Sequence, residues 1–251
     1  MAIKALVFDA YGTLYDVQTV SAVTDKAFPG YGDYITQVWR MKQLEYTWLR
    51  TMMGDYQDFW AVTRDALAYT LKTIGLEANQ ALFDEIAEAY NNREPYPDAK
   101  EALTLLSGYR LAILSNGNPG MLNALTRNSG LDKYLEAWIS VDSMKAFKPD
   151  PRAYEPVRKA MGLEVDEVLF VSSNGFDVSG AKRFGFRVAR IERVTPGALN
   201  EEIRSSSVIG PKTIFKATRM QTEAIGHGPD FVVSSLRQLP EVLSGLTKSA
   251  A

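Results

Sequence analysis

Asp9 closes an apolar run in "FDAYGTLYDV" (Phe8–Val17), and the next position that could face it with a second carboxylate holds Tyr11. A lone carboxylate can be a nucleophile, a base or a turn residue, and its company decides which. Ser115 and Asn116 stand in "LSNGNP", Lys148 in "FKPD", and Ser172, Asn174 and Asp177 in "SSNGFD". If the apolar segments before them are strands of one parallel sheet, carboxylates, an ammonium, hydroxyls and amides converge beyond its carboxyl ends, where open α/β sheets bind ligands. Each piece alone has an ordinary reading: Asp9 as a turn residue before Gly12 and Thr13, "LSNGNPG" as turn chemistry, Lys148 as a solvated loop lysine. Their conjunction favours a site.

Other chemistries are set aside by residue type. "GFDVSGAK" approaches a phosphate-cradling loop but has Ala181 where the lysine must stand, and no Gly-x-Gly-x-x-Gly follows the first strand. Cysteine is absent and His227, in "GHGPD", is the single histidine, so thiolate nucleophiles, disulfides and multi-His or Cys zinc sites drop out. With 28 basic against 30 acidic residues the net charge is −2, which gives no field favouring nucleic acid or an anionic membrane. No apolar stretch reaches membrane-spanning length and the N-terminal run is too short for a secretory signal, so a cytoplasmic location is expected.

The elements that must position these residues are legible in outline. Lys4–Phe8, Arg110–Leu114, Glu167–Val171, Phe186–Ile191 and Asp230–Ser234 are short continuous apolar segments, as strands covered on both faces should be. Helical patterns such as Asp98–Gly108 and Ser179–Phe186 alternate with them, predicting an α/β fold with a doubly wound parallel sheet. Asp33–Arg50 and Ala81–Arg93 have helical spacing with no strand between, which predicts an inserted helical cap over residues 16–96 within a core of residues 1–15 and 97–251. Pro95 and Pro97 mark the return hinge, Glu94–Ala99. Residues 205–220 are assigned to no element.

In order, "FDAYGTLYDV", "VWRMKQLEYTWLR", "LSNGNP", "FKPDPRAY" and "FVSSNGFDVSGAKRFGF" resemble the haloacid dehalogenase superfamily, and in particular its L-2-haloacid dehalogenases. The likeness covers core and cap to about Arg190, and the later part fits the longer members more weakly. It implies a Rossmann-like core with an inserted helical cap. Superfamily phosphatases carry a second aspartate two positions after the nucleophile and use Mg²⁺. Here Tyr11 takes that place, and Ser172, Ser173 and Asn174 precede Asp177, leaving too few anionic ligands for a hard cation. No metal and no cofactor are expected. A halide leaves carbon as a stable anion, so displacing it needs neither general acid nor Lewis acid.

The resemblance implies that Asp9 attacks C2 of a short 2-haloacid to give an ester, inverting an L-substrate into a D-2-hydroxy acid. It implies a halide cradle of Arg40, Asn116 and Phe176, and a carboxylate site of Ser115 with backbone N–H groups near Ala10 and Tyr11. Asp177, Asn174 and Lys148 would prepare the hydrolytic water, oriented by Ser172, Thr13 and Tyr154, while Tyr11, Leu44 and Phe59 supply apolar walls. Asp9 and Asp177 balance Lys148 and Arg40, so neutral donors are expected to hold the anionic substrate. Relatives suggest a homodimer, with the 2-haloacid and its halide as the small-molecule partners. The alternatives are a phosphatase of the same superfamily, or a catalytically silent module that binds a partner through the crevice or the cap segment "YTWLRTMMGDYQDFW".

Overall fold

The computed structural model describes residues 2–249. β1 (Ala5–Phe8) leads into the helices α1 (Ser21–Ala27), α2 (Gly32–Met53), α3 (Phe59–Thr73) and α4 (Gln80–Glu88). The chain returns through α5 (Ala99–Leu105) and β2 (Arg110–Ser115), then α6 (Pro119–Ser129), β3 (Ala137–Ser140), α7 (Glu155–Met161), β4 (Val168–Ser172), α8 (Gly175–Phe184) and β5 (Arg187–Ile191). α9 (Pro196–Ser205), α10 (Pro211–Arg219), β6 (Phe231–Val233) and α11 (Leu239–Ser249) complete it.

The strands form one parallel sheet in the order β3-β2-β1-β4-β5-β6. The chain moves outward from β1 through β2 to β3 and then crosses back to β4, so the strand order reverses at β1 and opens a crevice at its carboxyl end. β1 and β4 are buried throughout, which is why both read as continuous apolar runs. Helix ends follow their capping residues: the side chains of Asp58, Asn79 and Asn118 accept from the first turns of α3, α4 and α6, and α2 stops where Gly54 turns left-handed.

α1–α4 sit between β1 and β2 as the cap, joined to the core by a narrow neck. There Asp16 N donates to Glu94 O (3.0 Å) and Tyr96 N to Leu14 O (2.8 Å), with an antiparallel bridge between Tyr15 and Pro95.

Three features depart from the sequence expectation. β3 adds a sixth strand: only Ile139 of its four residues is buried, so this edge strand presents no continuous apolar run. Residues 205–220 hold the end of α9 and all of α10, which packs on α2 of the cap. α8 begins at Gly175 rather than Ser179, which puts Asp177 in its first turn.

Candidate active site

Register aligns the strand ends. Phe8 pairs with Ile113 on one side and Val171 on the other, so Asp9 emerges between the ends of β2 and β4, its N–H bonded to Val171 O at 2.9 Å. The chain then turns back at Gly12, whose φ of 90° suits glycine and whose missing Cβ leaves room for Ser173. That turn brings Thr13 Oγ1 to 3.1 Å from Asp9 Oδ2, and the Ser173 N–H fixes Thr13 Oγ1 at 2.9 Å.

Lys148 is buried with all its donor capacity used. Its Nζ donates to Asp9 Oδ1 (3.1 Å), Asp177 Oδ2 (3.0 Å) and Leu114 O (2.7 Å). Asn116 Oδ1 accepts from the Lys148 backbone N–H at 3.0 Å, so the turn after β2 sets where that ammonium enters. Asp177 also accepts from Tyr154 OH at 2.8 Å. Burial pushes its carboxyl up to about 6; Lys148 opposes this and the charge of Asp9 adds to it. Asn174 Nδ2 donates to Asp9 Oδ2 (2.8 Å) and Tyr11 O (3.0 Å), while Ser172 Oγ accepts from Asn174 N at 3.2 Å.

The cap covers this network. Arg40 and Leu44 lie one turn apart on α2, both buried, and Arg40 Cζ is 5.9 Å from the centroid of the Tyr11 ring. Phe59, at the start of α3, packs on the same ring with centroids 5.7 Å apart. Phe176 sits half-buried and edge-on to Trp48 (5.3 Å), lining an apolar groove of about 500 Å³ with Met52, Phe147 and Pro149.

Asp9, Thr13, Lys148, Tyr154, Asn174 and Asp177 thus join in one hydrogen-bonded network, with Asn116 and Ser172 attached through Lys148 and Asn174. Ser115 is buried at the end of β2, where its Oγ accepts from Gly117 N (3.1 Å) rather than touching Asp9. Ala10 is buried directly after the nucleophile position. A divalent cation does not fit these residues: the Lys148 ammonium stands between the two carboxylates, and no group of three or more acidic, His or Cys side chains suited to a metal occurs among the described residues.

Sequence reasoning missed four supports. Ser173 buttresses Thr13 and donates from its Oγ to Gly12 O (2.7 Å). Gln43 accepts from Arg40 Nη1 (2.6 Å) and donates to Thr63 Oγ1 (2.6 Å), which aims the guanidinium. Arg193 Nη2 donates to Thr13 O (2.7 Å) while its Nη1 pairs with Asp98 at 3.0 Å. Arg93, buried at the neck, donates from Nη1 to Val17 O (2.8 Å). It is a further buried cation besides Lys148 and Arg40, with the Asp16 carboxylate near enough for its charge to act on it.

This arrangement of core, cap and strand-end carboxylate defines a class, and a model of the haloacid dehalogenase-like hydrolases matches residues 3–185. The chain is 55% identical over 244 residues to an (S)-2-haloacid dehalogenase of Xanthobacter autotrophicus, covering 97% of this chain and 96% of that one. An (S)-2-haloacid dehalogenase of Pseudomonas sp. strain YL is 38% identical over 242 residues, covering 96% of this chain and 94% of that one. The solved structure of L-2-haloacid dehalogenase from Xanthobacter autotrophicus superposes with a TM-score of 0.94 over 97% of this chain and 99% of that one, as does its form with chloropropionic acid covalently bound. The chain belongs to the L-2-haloacid dehalogenase family of the haloacid dehalogenase superfamily.

Proposed function

We propose that this protein hydrolyses short L-2-haloalkanoic acids to D-2-hydroxyalkanoic acids and halide, through an ester on Asp9. The observation that carries it is the setting of Asp9: one oxygen on Lys148, the other on Thr13 and Asn174, and a tyrosine where a second aspartate, as the carboxylic acid, would protonate an alkoxide leaving group. A relative that holds covalently bound chloropropionic acid supports the same chemistry.

In the first half-reaction a carboxylate oxygen of Asp9 displaces the halide from C2, forming a C–O bond as the carbon–halogen bond breaks, with inversion. Arg40, Asn116 and the Phe176 edge take up the developing negative charge, and Ser115 with the backbone N–H groups of Ala10 and Tyr11 holds the substrate carboxylate. Tyr11, Leu44 and Phe59 wall the pocket. In the second half-reaction water attacks the Asp9 carbonyl carbon, prepared by Asp177, Asn174 and Lys148. Tyr154 orients Asp177 and Ser172 orients Asn174, while Thr13 steadies the Asp9 carboxyl group. C2 is untouched in this step. The same reading takes residues 16–96 as a cap on a core of 1–15 and 97–251, and the protein as a homodimer.

A single turnover in H₂¹⁸O with enzyme in excess tests it. The product hydroxyl should carry light oxygen and the label should enter Asp9; a labelled hydroxyl with unlabelled protein would mean direct attack by solvent. Chloride release from L-2-chloropropionate should persist with a chelator, whereas chelator-sensitive phosphate release would return the phosphatase.

A further inference from the structure

The buried arginine at the neck belongs to no motif and, among the described residues, makes no ion pair within 4 Å, although the charge of the Asp16 carboxylate acts on it. Arg93 is 3% exposed; its Nη1 donates to Val17 O (2.8 Å) and, more weakly, to Asp16 O (3.4 Å), while Nε and Nη2 find no partner. The nearby Asp16 carboxylate caps Gln18 N instead and forms no ion pair with it. Two further buried donors are unpartnered beside it: the hydroxyl of Tyr11, 2% exposed, and Nε of Arg40, 4% exposed. Aromatic contacts bring the three together. The Arg93 guanidinium lies 3.9 Å over the Tyr90 ring, that ring is 6.1 Å from Tyr11, and Arg40 lies 5.9 Å from Tyr11 on its other contact.

Native proteins rarely leave one buried polar hydrogen unpaired, and here several lie on residues close enough for their charges to act on one another, with the phenol oxygen the one acceptor these groups offer. A water bridging them would have little to donate to, and a cation would meet like charge.

We infer that Arg93, the Tyr11 hydroxyl and the Nε edge of Arg40 form a binding site for a monovalent anion, either the carboxylate of the substrate or the released halide. The inference rests on the dehalogenase reading for the anion's identity, though not for its binding. Arg93 is here a binding residue that reaches the pocket from the neck, while its Nη1 keeps the two linker segments together.

Bromide is the probe. Crystals of the full-length protein soaked in sodium bromide should give an anomalous peak within hydrogen-bonding distance of the Tyr11 hydroxyl and Arg93 Nη2. The peak should be lost in Arg93→Gln and kept in Arg93→Lys. Absence of that peak from the wild-type protein overturns the site whether or not the enzyme turns over, which separates this failure from failure of the dehalogenase reading. In solution, loss of a charge-assisted hydrogen bond should weaken the anion roughly tenfold to a hundredfold. A rise of that size in the bromide inhibition constant at unchanged KM assigns the site to the halide. The same rise in KM, with weaker inhibition by propionate, assigns it to the carboxylate. Equal constants in wild type and a folded Arg93→Gln protein would make Arg93 a neck fastener only and overturn the proposal. If Arg93→Gln fails to fold, Tyr11→Phe, which deletes one hydroxyl, carries the same comparison.

Discussion

Lys148 is the residue on which the electrostatics of the site turn. Among the described residues it is the sole cation bonded to both Asp9 and Asp177, and all three are buried. Removing one partner from such a group leaves charge uncompensated, at a cost of about 3–5 kcal/mol. Lys148→Met should therefore melt well below the wild type at neutral pH. Two facing carboxylates without their cation take up a proton, so the deficit should shrink as pH falls, and turnover should drop at least about a hundredfold. Melting curves from pH 5 to 8, read beside chloride release, check both; a deficit independent of pH would remove the charge argument. In the wild type the sign for Asp177 is also fixed. Its carboxyl is raised to about 6 by burial, so its contribution to stability is full below the ordinary range near 4 and is lost as pH rises through about 6. Activity should run the other way. If the carboxylate prepares the water, the rate of ester hydrolysis in single-turnover experiments should fall as pH drops below about 6, and Asp177→Asn should abolish that limb along with most of the rate.

α8 carries Asp177 in its first turn, directly after Asn174, and two glycines decide where that helix can lie. A Cβ at Gly175 would overlap the backbone oxygen of Gln221, in the segment after α10, and one at Gly180 would overlap Tyr154 OH and Pro149. Gly175→Ala and Gly180→Ala should each destabilise by about 1–3 kcal/mol through overpacking, and Gly180→Ala should also cost turnover by pushing Tyr154 off Asp177. Gly197, with open space where its Cβ would go, is the internal comparison: Gly197→Ala in α9 should be neutral or stabilising by up to about 1 kcal/mol. Thermal melts and kcat for the three variants test this ordering. The same elements explain what sequence could say. Strands buried on both faces betray themselves by unbroken apolar runs, so the polar residues just past their ends, Asp9 and Asn116, can be placed from sequence at the mouth of the sheet, whereas Lys148 follows no strand and reaches Asp9 and Asp177 only through the fold. β3 lies at an edge and is half-exposed, so its run is broken. α10 mixes basic and apolar residues behind a Gly-Pro start. Arg93 and Arg193 act across neck and sheet through partners such as Val17 O and Thr13 O, and no spacing along the chain signals such contacts.

At the scale of the molecule, the cap leaves apolar surface outward. No helix among the described residues is long and apolar enough to cross a membrane, so that surface is not a span. On α2, Tyr46, Leu49 and Met53 recur at helical spacing around one concavity, with Leu49 and Met53 exposed and Tyr69 of α3 meeting Tyr46 edge-on. An apolar stripe on one face, repeated on an identical chain, is self-complementary about a two-fold axis, which is the geometry a homodimer uses. If the protein is the proposed homodimer and this stripe is its interface, Leu49→Glu with Met53→Glu should place like charges across that axis and give a monomer, read as a halving of mass in sedimentation equilibrium. The hydrogen-bonded network around Asp9 is supplied by one chain and lies beneath the inner face of α2, where Arg40 and Leu44 are buried. Dissociation should therefore leave kcat within about threefold of the wild type, as expected for separated sites. A monomeric wild type would overturn the dimer, and loss of turnover in a folded monomeric variant would mean that the partner completes the site.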